Sequence, residues 1–291
     1  MLHPPGFEHR MTPQHQSLSI RISSDGLSFC TYAPAAAEPL AYKTWPLQPT
    51  ISLAANLKDA LLHEPLLQED YQRVNVLIST PQFTVLPARD FDRDRVEEVY
   101  RFVLPDDGQA HVSYNLLRRA GIAIVFGLDR HVRQLLLDDF PRARFYAAAS
   151  TLTEHFAALA TAPGAGRRVL FAYLHEGTIA RGVGQQDQEL TLYALDQGRL
   201  LLINNYTVRG LGDCQYYMLG VWRGLAFDQV DDTLCIVDDN PTDAPTQLAD
   251  KLRYFLHRVI LIDKLTEFGA TLTRGDQRIP YDLQSLLVCG F

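Results

Sequence analysis

Apolar and polar positions alternate in two separate regions of the chain, and each region predicts a small antiparallel sheet. The first region contains LSIRIS, a turn at residues 24–26, LSFCTYA and LAYKTW. The second follows Arg168 and contains VLFAYL, a longer loop, ELTLYAL, a turn at 196–198 and RLLLINNYTV. Alternation with a period of two is typical of strands, and Gly-containing turns are typical of hairpins. The pattern therefore predicts two three-stranded meanders.

Each meander is followed by alternating helices and strands. After the first meander, helices are predicted to begin at Ser52, Asp92 and Ser150, and strands are predicted near 73–79, 111–117, 122–128 and 142–148. After the second, helices are predicted near 210–225 and from Asp243, and strands at 233–239 and 258–263. This order, occurring twice, predicts an α/β protein with mixed sheets and flanking helices.

Small, flexible residues at 162–166, Ala-Pro-Gly-Ala-Gly, predict a boundary between two domains. The first domain is expected over residues 17–162 and the second over 163–291. Residues 1–16, MLHPPGFEHRMTPQHQ, contain no apolar signal core and too many prolines for a helix. They are interpreted as a flexible N-terminal arm.

Composition limits the classes of protein that the chain can represent. The 291 residues are 47% hydrophobic and 21% charged, which is typical of a globular protein with room for two cores. The net charge of −7 disfavours binding to nucleic acid and to anionic membrane surfaces. No apolar run is long enough for membrane insertion. Four widely spaced cysteines, two of them inside apolar runs, predict free thiols in a cytoplasmic protein.

The order of elements resembles the duplicated ribonuclease H-like fold of the actin-like ATPases. Over roughly residues 17–291 the chain also resembles an uncharacterised bacterial family, domain of unknown function 3822. That resemblance lies in the segment LYALDQGRLLLINNY, in Tyr216 and Tyr217 of the helix that follows, and in the LLVCGF end. Members of this family look like degenerate relatives of the actin-like ATPases. The resemblance implies a fold and no established activity.

The first hairpin lacks the residues that an active member of the actin-like group carries there. Such ATPases resemble one another in an Asp-x-Gly motif, whose carboxylate holds hydrated magnesium and whose glycine lets backbone amides approach phosphate. In IRISSDGLSF the Asp position falls on Arg21 and the Gly position on Ser23. An arginine cannot bind magnesium, although it can pair with a phosphate or a carboxylate. Ser24, Asp25 and Gly26 lie at the hairpin tip, where turn geometry alone explains them.

The second hairpin departs from the same motif. The Asp position falls on Tyr173 or Leu174, and His175, Glu176 and Gly177 follow. Glu176 is a candidate metal ligand and His175 a candidate base. The loop continues through Gly-Val-Gly at 182–184, but no third glycine follows and no helix begins there. The segment is therefore interpreted as an ordinary loop in preference to a phosphate-binding loop.

Asp238 and Asp239 end an apolar strand and belong to the densest group of acids in the chain, together with Asp231 and Asp232. A two-metal nuclease of ribonuclease H type places acids at such a strand end, but it also needs an acid on its first strand, and VLFAYL contains none. Acids at strand ends more often form caps and turns. The nine histidines are scattered and predict no zinc site.

These patterns favour a non-catalytic scaffold or regulatory interaction protein that binds a protein partner and no cofactor. One alternative is a protein that binds ATP and magnesium, or a phosphotransferase, with atypical ligands from Asp25, Glu176 and Asp238. A second is a ribonuclease H-like nuclease that uses Asp238 and Asp239. Whether the chain is an enzyme stays open at this point. The candidate residues of an interdomain cleft are Arg21, Ser23, Ser24, Asp25, Gly26, His175, Glu176, Gly177, Asp238 and Asp239.

Overall fold

Two five-stranded sheets, one in each half of the chain, form the framework of the computed structural model. The structure describes residues 17–23, 26–33, 39–105, 108–176, 188–239, 244–272 and 279–289. A further sheet of three strands lies in the first half. The two mixed sheets and their flanking helices confirm the predicted α/β class.

The first half alternates strands and helices after an opening meander. Its strands are β1 (Ser17–Ile22), β2 (Leu27–Tyr32), β3 (Leu40–Trp45), β4 (Arg73–Ile78), β5 (Phe83–Pro87), β6 (Ala110–Leu117), β7 (Ile122–Asp129) and β8 (Arg144–Ala147). Its helices are α1 (Leu53–His63), α2 (Val96–Val103), α3 (Arg130–Asp139) and α4 (Ala148–Leu159). Short 3₁₀ turns lie at Pro65–Gln68, Ala88–Asp90 and Arg93–Arg95.

The second half repeats the meander and the alternation on a smaller scale. Its strands are β9 (Arg168–Glu176), β10 (Gln188–Asp196), β11 (Arg199–Val208), β12 (Thr233–Asp238) and β13 (Val259–Leu261). Its helices are α5 (Leu211–Gly224), α6 (Ala244–Leu252), α7 (Lys264–Leu272) and α8 (Tyr281–Cys289). Helix α7 is kinked at Gly269, whose φ of 73° is outside the helical region.

The two large sheets have the same strand order and the same directions. The first sheet runs β3-β2-β1-β4-β8, and the second runs β11-β10-β9-β12-β13. In each sheet, the three strands of the meander pair antiparallel with their neighbours. The two remaining strands run parallel to the central strand, which is β1 in the first sheet and β9 in the second. Strands β1 and β9 are therefore the equivalent central strands of a duplicated arrangement. The three-stranded sheet, in the order β5-β7-β6, is antiparallel and belongs to the first half alone.

The alternation along β1 explains which face of the first sheet is apolar. Leu18, Ile20 and Ile22 are buried in one cluster with residues of α1 and α3. The intervening positions include Ser19 and Arg21, and they face the opposite side, because successive side chains of a strand point to opposite faces. Both polar side chains are nevertheless buried, since other helices cover this second face. A buried polar face needs internal hydrogen-bond partners.

Helix α4 connects the two halves of the molecule. It begins at Ala148, two residues before the predicted start at Ser150, and Ser150 is fully buried inside it. Strand β8 runs directly into the helix, so burial against both halves outweighs the preference of serine for a helix start. Phe156 of α4 stacks on Phe171 of β9 with ring centroids 4.4 Å apart. Within the described residues, no helix is long and apolar enough to cross a membrane.

Candidate functional site

Several candidate residues meet where the central strands of both sheets end. Arg21 and Ser23 come from the end of β1, and Tyr173 and His175 come from the end of β9. These four side chains line one small cavity, together with Ser79 beyond β4 and other residues of both halves. The carboxyl ends of neighbouring parallel strands lie at the same edge of a sheet, and binding sites in α/β proteins are commonly formed there. This cavity is therefore the candidate site.

Arg21 is held by the last helix of the chain. Its Nε donates to both carboxylate oxygens of Asp282, at 3.0 and 2.9 Å. Its two terminal nitrogens donate to the hydroxyl oxygens of Ser23, at 2.7 Å, and Ser79, at 3.3 Å. The side chain of Arg21 is 8% exposed and that of Asp282 only 1%. The charge of Arg21 is thus paired with a carboxylate of the protein itself.

A buried, doubly hydrogen-bonded ion pair of this kind is difficult to open. Removing either partner leaves an isolated charge in a low-dielectric environment, which typically costs about 3–5 kcal/mol. A phosphate that approached Arg21 would have to compete with Asp282 of α8, whose two carboxylate oxygens both already accept from the Arg21 Nε. The guanidinium is therefore part of the packing between β1 and α8.

The tip of the first hairpin is closed by internal bonds. The backbone nitrogen of Ser23 donates to the carbonyl oxygen of Gly26 at 3.1 Å, and the Ser23 hydroxyl donates to the same oxygen at 2.9 Å. Ser24 and Asp25 lie outside the described residues. In the part that is described, Ser23 and Gly26 are hydrogen-bonded to each other, and the turn function of the segment between them stays a prediction.

Asp239 follows β12 and anchors the start of α8. Its two carboxylate oxygens accept from the backbone nitrogen of Tyr281, at 3.0 and 3.2 Å, and also from the Tyr173 hydroxyl and the Lys264 ammonium group. A carboxylate at a helix N-terminus satisfies an unpaired N–H and interacts favourably with the helix dipole. Burial, and then the charge of Asp239, raise the pKa of Tyr173 well above its usual value, so the phenol remains a donor. The side chain of Asp238 lies outside the described residues.

His175 lines the same cavity, beside Tyr173, Thr191 and Glu189. Its ring stacks on Tyr173 with centroids 4.8 Å apart, and Nε2 lies 3.4 Å from the Thr191 hydroxyl and 3.8 Å from a carboxylate oxygen of Glu189. The side chain of Glu176 and the whole of Gly177 lie outside the described residues. Among the residues whose positions are described, no group of three or more His, Cys, Asp or Glu side chains is arranged to hold a metal ion.

The described part of this site does not fit a nucleotide with its magnesium ion. The cavity between the strand ends has a volume of about 40 Å³, which is room for a few water molecules, whereas ligand pockets typically measure about 300–1,000 Å³. Arg21 and Tyr173 both line the cavity and are engaged in internal bonds.

The tertiary structure adds site residues that the sequence did not reveal. Asp282 and Lys264 carry the charges that neutralise Arg21 and Asp239, and Ser79 completes the set of acceptors around Arg21. One signal was available: an arginine inside the apolar strand LSIRIS requires a buried acidic partner somewhere in the chain. Alternation alone cannot identify that partner, because it lies 261 positions away.

Comparisons with known proteins agree with this architecture. The model of the DUF3822 family, described as a protein of unknown function, matches residues 9–257. A crystal structure from Bacteroides thetaiotaomicron VPI-5482, described as a protein with actin-like ATPase fold and unknown function, is 26% identical with a TM-score of 0.75 and covers 98% of this chain and 100% of that one. The PilM-PilN type IV pilus biogenesis complex is 11% identical with a TM-score of 0.52, covering 86% and 89%. No curated protein matches the chain.

Proposed function

The chain belongs to the DUF3822 family of proteins of unknown function and has an actin-like ATPase fold, and from this premise we propose that it is a non-catalytic scaffold or regulatory interaction protein. The observation that carries the proposal is the pair of Arg21 and Asp282: the residue predicted at the acid position of the motif is a cation, and the protein neutralises it internally. The small volume between the strand ends supports it as well. In this proposal the candidate cleft residues stabilise the contact between the halves.

A protein partner is the ligand class that this proposal requires. The PilM-PilN complex provides a precedent at the level of the fold, since a chain of similar architecture there takes part in an assembly with a second protein. A shared fold does not transfer a function, so the precedent supports the class of ligand and leaves its identity open. Four free cysteines, three of them buried, support a reducing compartment such as the cytoplasm.

The proposal predicts that ATP with magnesium leaves the melting temperature unchanged within measurement error. A ligand that binds only the native state stabilises it by RT ln(1 + [L]/Kd), or about 2.7 kcal/mol at a hundredfold excess over Kd. The measurement is a thermal melt at millimolar ATP with magnesium, with magnesium alone and ATP alone as controls.

A clear upward shift that needs both ATP and magnesium would contradict the proposal and support the ATP-binding alternative. The variant Arg21→Asp would then be compared with the wild type. It restores an acid at the motif position, so a larger shift in the variant would identify that position as a metal site.

A further inference from the structure

A long groove lies beside the cavity, between the three-stranded sheet and the second large sheet. It has a volume of about 720 Å³ and is lined by β5, by the turn between β6 and β7, and by the first half of β11. Aliphatic side chains dominate its walls, among them Val85, Ile122 and Leu202. Leu201, also on its wall, is 47% exposed, so the groove presents apolar surface to solvent. A volume of this size is sufficient for a ligand of several residues.

Both long walls of the groove are outer strands of their sheets. Strand β5 is the last strand of the order β5-β7-β6, and β11 is the last of the order β11-β10-β9-β12-β13. At one end of the groove β11 contacts the turn between β6 and β7, where the Leu200 nitrogen donates to the Ala120 carbonyl oxygen at 3.3 Å. An outer strand has no sheet neighbour along one edge, and an added strand can bind the backbone N–H and C=O groups of such an edge.

The charged side chains among the described residues of the groove are all basic. They are Arg89 and Arg199, in a protein with a net charge of −7. Arg89 also contacts its exposed neighbour Asp90 at 3.4 Å, an arrangement with little binding energy in water. Arg199 lies at the start of β11, beside the closed end of the groove. A segment with an acidic residue near one end would place its carboxylate against this arginine.

We propose that this groove binds an extended segment of a partner protein, with apolar side chains at alternate positions and an acidic residue near one end. The inference rests on the proposed function and specifies its ligand. A helix would satisfy its own backbone groups and leave the two strand edges unused, whereas an extended segment pairs with them. The part of β11 that lines the groove, five residues, spans about 17 Å, enough to align a short strand.

The test is a selection of random peptides of about twelve residues, displayed on phage, against the full chain. Peptides that alternate apolar and polar residues and carry an acid should be enriched. The strongest binders, synthesised with a fluorescent label, should bind Arg199→Glu and Leu201→Asp about tenfold or more weakly than the wild type. Arg142→Glu and Val230→Asp make the same changes at exposed positions outside the groove and should bind like the wild type. Proline inside the peptide should abolish binding, because it removes a strand donor.

Three results would overturn the inference. The first is a selection without enriched peptides, and the second is a set of peptides whose affinity is unchanged in both groove variants. The third is a wild type that forms dimers and becomes monomeric in Leu201→Asp by analytical ultracentrifugation, since a second copy of the chain would then be the occupant. Failure of this inference is distinguishable from failure of the proposed function. If the proposed function is wrong, ATP with magnesium raises the melting temperature, whereas failure of the groove inference alone causes no such shift.

Discussion

Single residues determine what the candidate site is able to do. Arg21 places a buried cation at the candidate site, and Asp282 neutralises it from a helix that is distant in sequence. A buried pair of this type contributes little net stability compared with apolar residues of the same volume, but each partner depends strongly on the other. One buried ion pair therefore determines the electrostatics of the site.

The first prediction concerns this pair. Asp282→Ala should lower the free energy of unfolding by about 3–5 kcal/mol, because it leaves the Arg21 charge buried and unpaired. The double variant Arg21→Met with Asp282→Leu should recover most of that loss, since it removes both charges. Urea denaturation measures both, with exposed Arg142→Met as the control. A double variant no more stable than Asp282→Ala would show that lost packing, and not the unpaired charge of Arg21, accounts for most of the lost stability.

The second prediction separates the two neighbouring acids at the end of β12. Asp239→Asn should cost about 1–3 kcal/mol, because Lys264 and the start of α8 lose a charged acceptor. Asp238→Asn should cost well under about 2 kcal/mol, as expected for a turn or cap residue. Calcium and manganese should change the melting temperature of neither the wild type nor the variants. A cation-dependent shift that Asp238→Asn abolishes would instead support a metal site and the nuclease alternative.

At the scale of elements, α8 has the greatest influence on the site. It contributes Asp282 to Arg21, and its first backbone nitrogen, from Tyr281, bonds to Asp239. Leu283 and Leu286 pack into a cluster with Cys30 and Leu77 of the first sheet. The end of the chain thus closes over strands from both halves. A helix with this many buried contacts is expected to unfold only with the protein as a whole.

The third prediction concerns the packing of α8. Leu283→Ala should destabilise the protein by about 2–5 kcal/mol, since the residue is fully buried and its truncation leaves a cavity. Val288→Ala removes apolar atoms from the same helix at a position that is 44% exposed, so it should cost much less. Chemical denaturation compares the two. Equal losses would show that α8 is held mainly by its charged contacts.

At the scale of the whole molecule, the two halves share a common core. One buried cluster contains Leu152 and Phe156 of α4, Phe171 and Tyr173 of β9, and Tyr281 of α8. This continuity agrees with two repeated units that are packed tightly together. The division into residues 17–162 and 163–291 stays a prediction, because a shared core is compatible with either one cooperative unit or two.

The fourth prediction uses the two tryptophans, one in each half. Trp45 lies on β3 and Trp222 is buried on α5. In the single-tryptophan variants Trp222→Phe and Trp45→Phe, fluorescence reports unfolding of the first and second half respectively. Each variant's fluorescence midpoint in urea should match its own circular dichroism midpoint, because the halves share buried contacts through α4. A fluorescence midpoint clearly separate from the circular dichroism midpoint would show that the halves unfold independently.

The sequence by itself determined the class of fold, and it predicted that the motif positions lack their usual acids. Alternation with a period of two specifies which residues form strands and which face is apolar, and these are local properties. The assignment of Arg21 to the acid position of the motif likewise uses the printed sequence alone, and it stays a prediction. The sequence predicted the start of a helix less well, as Ser150 illustrates. Burial between the two halves overrides the local preference of serine for a helix start.

Only the tertiary structure decided what the remaining residues do. Asp282 lies 261 positions from Arg21, and Asp239 lies 42 positions from the helix start that it caps. The groove arises because β5 and β11 become outer strands of different sheets and then face each other. Such contacts depend on how whole elements pack, and no period in the sequence encodes that packing. The pattern along the chain therefore specifies the elements, whereas their assembly decides which charges are neutralised and which edges remain exposed.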